Sequence, residues 1–590
     1  MRIVVGERWT RLFGLGEPQL GDLLQSLPEP PYTGGGNYCR STPANLLALE
    51  ERARDGEWDD PDNRLFEAKA YRFLSKLRAE PPDAAGLAAF PFKLPPDPWQ
   101  VAPFWYGRQM RNIALAPAAL GCGKTKMALD IAAAKFLAGE IDGVIVIAPN
   151  GVHRQWITKA IPVHLSDNVP YIAHVWKPAV KIPKRWPLDP NESVRRLRVM
   201  AFNVEAFSTE SGKAVKTLAA ILATGRFLLV MDESSRIKNG QRKRTRTLIR
   251  IAPRAAARMI LTGTPVTKGL EDFYSQYAFL DPDIIGLSSY GAFRNRYCVT
   301  IPAYRGAARG AVKIVGYKNR EELFRKLAPV TFMIGKEVLG LGEPLRERRE
   351  VEMTDEQREI YTAMAKRLYH DLQAARIATP SNVLVEMLRL QQVLSGVVHE
   401  PHVDPRTGLE STVERLIPTN RPAALRGVLE DVDGQAVIWA RFKQDIDTLA
   451  GMFDGLNDSD RRAEATRRRW RYAIYDGRVG NVAERERRVD AFSKGEIDLF
   501  LGNPAAGGTG VDGLQEQCSL GIYYSNSFNR EHRWQSEGRI ARRGQKERCT
   551  FLDLVVPGTV DELFLNAIAS TEELANMVLR NPSMILGGLT

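Results

Sequence analysis

The chain has 590 residues, 44% of them apolar and 26% charged, with Lys and Arg at 82 against 70 Asp and Glu. That length suits roughly three or four domains, and the net charge of +12 with a pI near 9.4 suits a polyanionic partner. Five scattered cysteines without a CxxC pair argue against a zinc or disulfide framework. With no signal peptide and no apolar run of bilayer length, the sequence reads as soluble and cytoplasmic.

Residues 1–88 form an N-terminal extension to which the sequence assigns no role. It holds a Pro/Gly-rich loop, 28–37, and a helical spacing from Leu65 to Leu77. A short apolar strand, Asn112–Ala116, then leads through PAAL to Gly121-Cys-Gly-Lys-Thr125 and an alanine-rich helix. Strand, glycine turn, Lys-Thr and helix make the P-loop context. Glycines let backbone N–H groups close around phosphate, Lys124 reaches the β- and γ-phosphates, and Thr125 ligates Mg²⁺. The strict pattern wants Gly where Ala118 stands.

VIVIAP (144–149) and VMAF (199–202) read as further strands. The basic run 177–186 suits a solvated loop or contact with a phosphate backbone. Leu228 to Met231 run straight into Asp232 and Glu233, as a buried parallel strand with an acidic tip would. Such tips sit at the sheet's carboxyl edge, where open α/β folds bind ligands. In P-loop NTPases an Asp in this place holds Mg²⁺, and a neighbouring Glu can orient the attacking water. Six basic residues between Arg236 and Arg246 exceed what a solvated turn requires, and RMILTGTP (258–265) is a strand closing on a hydroxyl-rich turn.

GCGKT, APNGVHRQW, DESSRIKN and LTGTP, in this order, resemble the motifs of superfamily-two helicases. The match is nearest to the Swi/Snf-type branch of DNA translocases and its compact phage and bacterial members. The second half agrees. LRLQQVLSG resembles the family's bridge between motor domains, and residues 436–526 read as a second α/β unit. The basic run 461–471 reads either as lying on DNA or as an exposed helix face. The segment 534–545 resembles the family's QxxxRxxRxGQ signature, with Arg539 and Arg542 expected on one helical face.

The resemblance implies an α/β fold of two RecA-like P-loop domains with helical insertions between them. The expected bounds are 1–88, 89–282, 283–420 and 421–590. It implies ATP and Mg²⁺ as cofactors and duplex DNA as partner. Gln100 would meet adenine, Gly121, Gly123, Lys124 and Thr125 the phosphates, Thr125 and Asp232 the metal, and Glu233 the water. Arg539 and Arg542 would reach the γ-phosphate, Gln545 would sense nucleotide, and Gly508 and Asp512 would couple it to DNA, as Thr262 and Thr264 would in the first domain. Departures from the family pattern are Ala118-Ala119, Ser235, Lys268, Gly538 and Ala541; none removes a phosphate, magnesium or arginine-finger residue. The implied function is an ATP-dependent DNA translocase. The alternatives are a strand-separating DNA or RNA helicase and an ATP-switched recombination mediator without motor activity.

Overall fold

The structure is a computed structural model. It describes residues 2–5, 9–13, 17–27, 38–40, 45–46, 48–49, 57–59, 82–116, 121–178, 194–209, 212–263, 269–287, 289–302, 312–334, 340, 342–374, 380–403, 410–462, 470–480, 482–507, 513–569 and 584. The chain divides into two compact units, one of Met1–Ala118 with Gly123–Ile334 and the other of Ala119–Cys122 with Gly335–Thr590.

The N-terminal segment holds four short strands, β1 (Arg2–Val5), β2 (Trp9–Phe13), β3 (Tyr38–Arg40) and β4 (Glu57–Asp59), in the order β3-β2-β1-β4. Ile3, Leu12, Cys39 and Leu49 share a small core there. The loop 28–37 and the helical spacing 65–77 lie outside the described residues.

The first large sheet contains β5 (Asn112–Leu115), β6 (Gly143–Ala148), β7 (Tyr171–Val175), β8 (Leu197–Asn203), β9 (Phe227–Asp232) and β10 (Ala257–Leu261). An antiparallel hairpin of β11 (Cys298–Pro302) and β12 (Val312–Tyr317) follows, and β13 (Thr331–Phe332) returns to the sheet. Its seven strands are all parallel, in the order β13-β5-β10-β9-β6-β8-β7. Every residue of β9 is buried, as its unbroken apolar run predicts. Each such large side chain removed from water is worth about 1.5–3 kcal/mol, so this strand is a fixed mount for the acidic tip that follows.

The second unit begins with β14 (Leu345–Glu350). An antiparallel hairpin, β15 (Val397–Val403) with β16 (Glu410–Leu416), precedes β17 (Ala436–Trp439), β18 (Tyr472–Tyr475), β19 (Leu499–Gly502), β20 (Leu520–Tyr523) and β21 (Thr550–Val555). Six of these strands form a parallel sheet ordered β14-β21-β20-β17-β19-β18. The α/β class and the two parallel-sheet domains therefore stand as expected. The region between the sheets is not only helical, because it also carries the two hairpins. Its helices 355–373 and 380–394 pack Tyr361, Leu368, Met387 and Leu390 into the core of the second unit. The segment resembling a bridge is thus built into that unit: Gln391 donates to Asn526 O at 2.8 Å and accepts from Arg441 at 2.7 Å.

Candidate active site

After β5 comes a turn whose residues 117–120 lie outside the described set. Gly121 and Gly123 follow with φ of +87° and +85°, a region costly to residues with a Cβ. Gly123 caps the helix Lys124–Leu137, so Lys124 and Thr125 occupy its first turn, where unpaired N–H groups and the helix dipole favour anions. A Cβ on Gly123 would lie 2.3 Å from Nε2 of Gln100. Gln100 is fully buried, and its Oε1 accepts the Asp97 N–H at 3.1 Å, closing the capping box of helix Pro98–Gly107. Its amide is therefore wedged against the glycine turn.

One turn into the P-loop helix, Lys126 and Asp130 form a buried ion pair at 2.6 Å. Burial pushes the Asp130 carboxyl up to about 6 against the pull of Lys126. The Lys126 ammonium also sits 5.3 Å from the Phe92 ring centroid, which ties the helix to the segment preceding Gln100.

Asp232 ends β9 and is 5% exposed. Its Oδ2 accepts the indole N–H of Trp156 at 2.8 Å, and its Oδ1 accepts the Glu233 N–H at 2.9 Å. Burial, then the neighbouring Glu233 charge, push its carboxyl up to about 6, while Trp156 and Lys124 pull it down. Glu233 has φ +50°, ψ +61°, a left-handed conformation rare for a residue with a side chain, and it is only partly buried. Strain of that kind concentrates at functional sites. The following turn is pinned by Ser234, whose hydroxyl donates to Gln276 at 2.5 Å, and Gln276 donates onward to Asp272 O. Ser235, where the family commonly has His, is buried in the same turn. Thr262 ties the end of β10 to β5 through its N–H on Leu115 O at 3.1 Å. Thr264 and Lys268 lie outside the described residues.

The donors on this edge, a hydroxyl and a carboxylate, are the hard oxygens Mg²⁺ prefers. Burial and the neighbouring Glu233 charge both disfavour the Asp232 carboxylate, so a cation beside it fits the residues present. Trp156 has no role in the sequence reading. Its letter stands in APNGVHRQW, but nothing local announces a partner 76 residues away.

In the second unit, helix Arg530–Glu537 rests on a buried charge network. Arg533 donates to Glu537 at 2.6 Å and to Asp553 at 2.5 Å, and its guanidinium lies 3.4 Å from the Tyr523 ring centroid. Arg346 on β14 grips Glu537 through two bonds, at 2.6 and 2.8 Å. The expected shared helical face for Arg539 and Arg542 is not formed. The helix stops at Glu537, Gly538 caps it, and both arginines follow in successive turns around Ile540, which is fully buried. Gly544, at φ +94°, completes the bend. Both arginines are partly buried. The Gln545 amide is spent on backbone: it donates to Cys518 O at 2.8 Å and accepts from the N–H groups of Lys546 and Glu547. Gly508 and Asp512 lie outside the described residues.

Family models match both halves. The SNF2-related domain covers residues 106–397, and the helicase conserved C-terminal domain covers residues 420–544. The chain belongs to the Swi/Snf-type superfamily-two helicases. Among proteins similar to this Swi/Snf-type chain is the CHD3-type chromatin-remodeling factor CHR7 of Arabidopsis thaliana. It is 25% identical over 365 residues, which is 60% of this chain and 27% of that protein. The DNA repair and recombination protein RDH54 of Saccharomyces cerevisiae is 24% identical over 374 residues, 60% of this chain and 37% of that protein. The chain thus spans well under half the length of these relatives. A solved structure, the Sulfolobus solfataricus SWI2/SNF2 ATPase core in complex with dsDNA, aligns at 17% identity and a TM-score of 0.34, over 84% of this chain and 95% of that one.

Proposed function

We propose that this chain is a DNA-stimulated ATPase that converts ATP hydrolysis into movement along double-stranded DNA. The observation that carries the proposal is the Asp232–Glu233 tip. One carboxylate is buried, hydrogen-bonded and under the charge of Lys124; the next is held out in a strained conformation. That pair suits one group for holding a metal and another for orienting water.

The fit extends to the other groups. Positive-φ glycines leave backbone N–H groups open to phosphate, Lys124 offers a charge to its outer oxygens, and Gln100 shapes the turn from behind. Thr125 and Asp232 would hold Mg²⁺, which when bound neutralises phosphate charge. Glu233 orients and deprotonates water. Arg539 and Arg542 supply the fixed positive charge that the transferred phosphoryl group needs. Gln545 acts through the turn it braces, and Gly508 and Asp512 remain the proposed coupling residues of the second domain. The proposed domain bounds are 1–88, 89–282, 283–420 and 421–590. The names of the relatives, a chromatin-remodelling factor and a recombination protein, favour duplex DNA as the track, and a cytoplasmic setting in a bacterium or infected cell is part of the same reading.

The test is phosphate release measured with no nucleic acid, duplex DNA, single-stranded DNA and RNA, for the native chain and for Lys124→Ala. Stimulation by duplex DNA above all other arms, lost in Lys124→Ala, is the expected result. Stimulation by RNA alone, or hydrolysis retained without Lys124, overturns the proposal.

A further inference from the structure

Glu233 keeps its left-handed backbone between two neighbours that are both tied down. A residue with a side chain holds such a conformation where its surroundings over-determine it. On one side, Asp232 is fixed by Trp156 and accepts the Glu233 N–H. On the other, the Glu233 carbonyl accepts the Arg236 N–H at 2.9 Å, which closes the turn Ser234–Ile237. The Ser234 hydroxyl then donates to Oε1 of Gln276 at 2.5 Å. Both side chains are enclosed, Ser234 at 0% and Gln276 at 1% exposure. A buried hydroxyl that loses its acceptor is costly, so this bond fixes where Ser234 sits and, with it, the residue one position upstream.

Gln276 stands on a rigid mount. Its helix, Asp272–Leu280, buries every residue except Tyr274. The Tyr277 hydroxyl pairs with Thr331 Oγ1 on β13 at 2.7 Å. At the start of the helix, Glu271 accepts the Tyr317 hydroxyl of β12 at 2.7 Å. A Cβ on Gly269 would stand 1.5 Å from that hydroxyl, so the chain entering the helix is pressed against it. Nε2 of Gln276 donates to Asp272 O at 2.9 Å, one turn back on its own helix, which orients the amide and turns Oε1 toward Ser234. We propose that Gln276 is a positioning residue for the hydrolytic step: through Ser234 it fixes where the Glu233 carboxylate stands. The inference rests on the reading of Glu233 as the group that orients water. A 1 Å misplacement of a reacting group can cost about a hundredfold in rate. The bond therefore acts on kcat, whereas ATP affinity belongs to the glycine turn.

The experiment measures single-turnover ATP hydrolysis on duplex DNA, ATP affinity and thermal melting. The variants are Gln276→Met, Ser234→Ala, those two together, Glu233→Gln, and Glu233→Gln with Gln276→Met, beside the native chain. Gln276→Met and Ser234→Ala should each slow hydrolysis about tenfold with ATP affinity unchanged. The two together should lose no more than either alone, because both remove the same bond. In the Glu233→Gln background, Gln276→Met should slow hydrolysis no further, since no carboxylate is left to position. A lowered melting temperature with native hydrolysis by the folded chain would make Gln276 purely structural and overturns the inference. So do additive losses in the double variant, or a further tenfold loss in the Glu233→Gln background. ATP affinity lowered in step with the rate also overturns it, by assigning Gln276 to the nucleotide turn. Native-rate hydrolysis by Glu233→Gln overturns the reading of Glu233 and the inference with it. Absence of hydrolysis by the native chain overturns the proposed function as a whole.

Discussion

The indole N–H of Trp156 reaches Oδ2 of Asp232 at 2.8 Å, joining residues 76 apart through a fully enclosed hydrogen bond. Trp156 stands on a short π-helical turn, Trp156–Ala160, whose widened geometry is typical of functional positions. The indole fixes one carboxylate oxygen and leaves the other to the backbone, so it sets which way the acidic tip faces.

Trp156→Phe keeps most of the buried volume and removes that donor. The expected cost is about 1–3 kcal/mol of stability, from a buried acceptor left unsatisfied. Chemical denaturation measures it. The magnesium concentration for half-maximal ATPase should rise several-fold in the same variant, which a loss of packing alone would not produce. An unchanged magnesium dependence would reduce Trp156 to a core residue.

Gly123→Ala meets two obstacles. The left-handed conformation costs about 1–2 kcal/mol for a residue with a Cβ, and the new methyl would stand 2.3 Å from the Gln100 amide. Calorimetric titration with ATP should show affinity lowered at least tenfold. Adding Gln100→Ala relieves only the steric part, so the double variant should remain impaired. Full recovery in the double variant would show that backbone conformation is not the determinant.

Arg533→Ala leaves Glu537 and Asp553 buried with fewer cationic partners. Breaking such a pair costs about 3–5 kcal/mol. The loss should appear in urea denaturation, and hydrogen exchange should accelerate across residues 538–545, the turns carrying Arg539 and Arg542. Exchange there at the native rate would mean that the network does not support those arginines.

Asp445, in the second unit, gives a pH test on a group that is not a candidate metal donor. It is buried, accepts from Ser525, and burial raises its carboxyl from 3.8 to about 6 despite the opposing charge of Arg421. Because the folded state holds the proton more tightly than the unfolded one, Asp445 contributes full stability below 3.8. That contribution falls as pH rises through the interval to about 6. Asp445→Asn removes the titration. The stability of the native chain minus that of the variant should fall by about 3 kcal/mol across this interval. A difference that is flat, or that rises with pH, contradicts the assignment.

The strands of both sheets were legible where apolar runs end in punctuation: VIVIAP before Asn150, LLVM before Asp232, LFLG before Asn503. Buried parallel strands carry that signal in themselves. β14 escaped because LRERRE is charged at every position after Leu345 and exposed throughout, and only its pairing with β21 at the sheet edge makes it a strand. The turns bearing Arg539 and Arg542 escaped because helical spacing continues through a Gly538 that the fold uses as a stop. Gln545 and Trp156 were readable as letters of motifs, but their partners, Cys518 O and Asp232, are set by tertiary packing that no local pattern encodes.

The most direct test of a motor on duplex DNA is displacement of a third strand from a triplex, with the native chain and with Glu233→Gln. A translocase predicts ATP-dependent displacement by the native chain, no displacement by Glu233→Gln, and no separation of a forked duplex in parallel. Displacement by Glu233→Gln at the native rate, or DNA-stimulated hydrolysis with no displacement, would contradict the account.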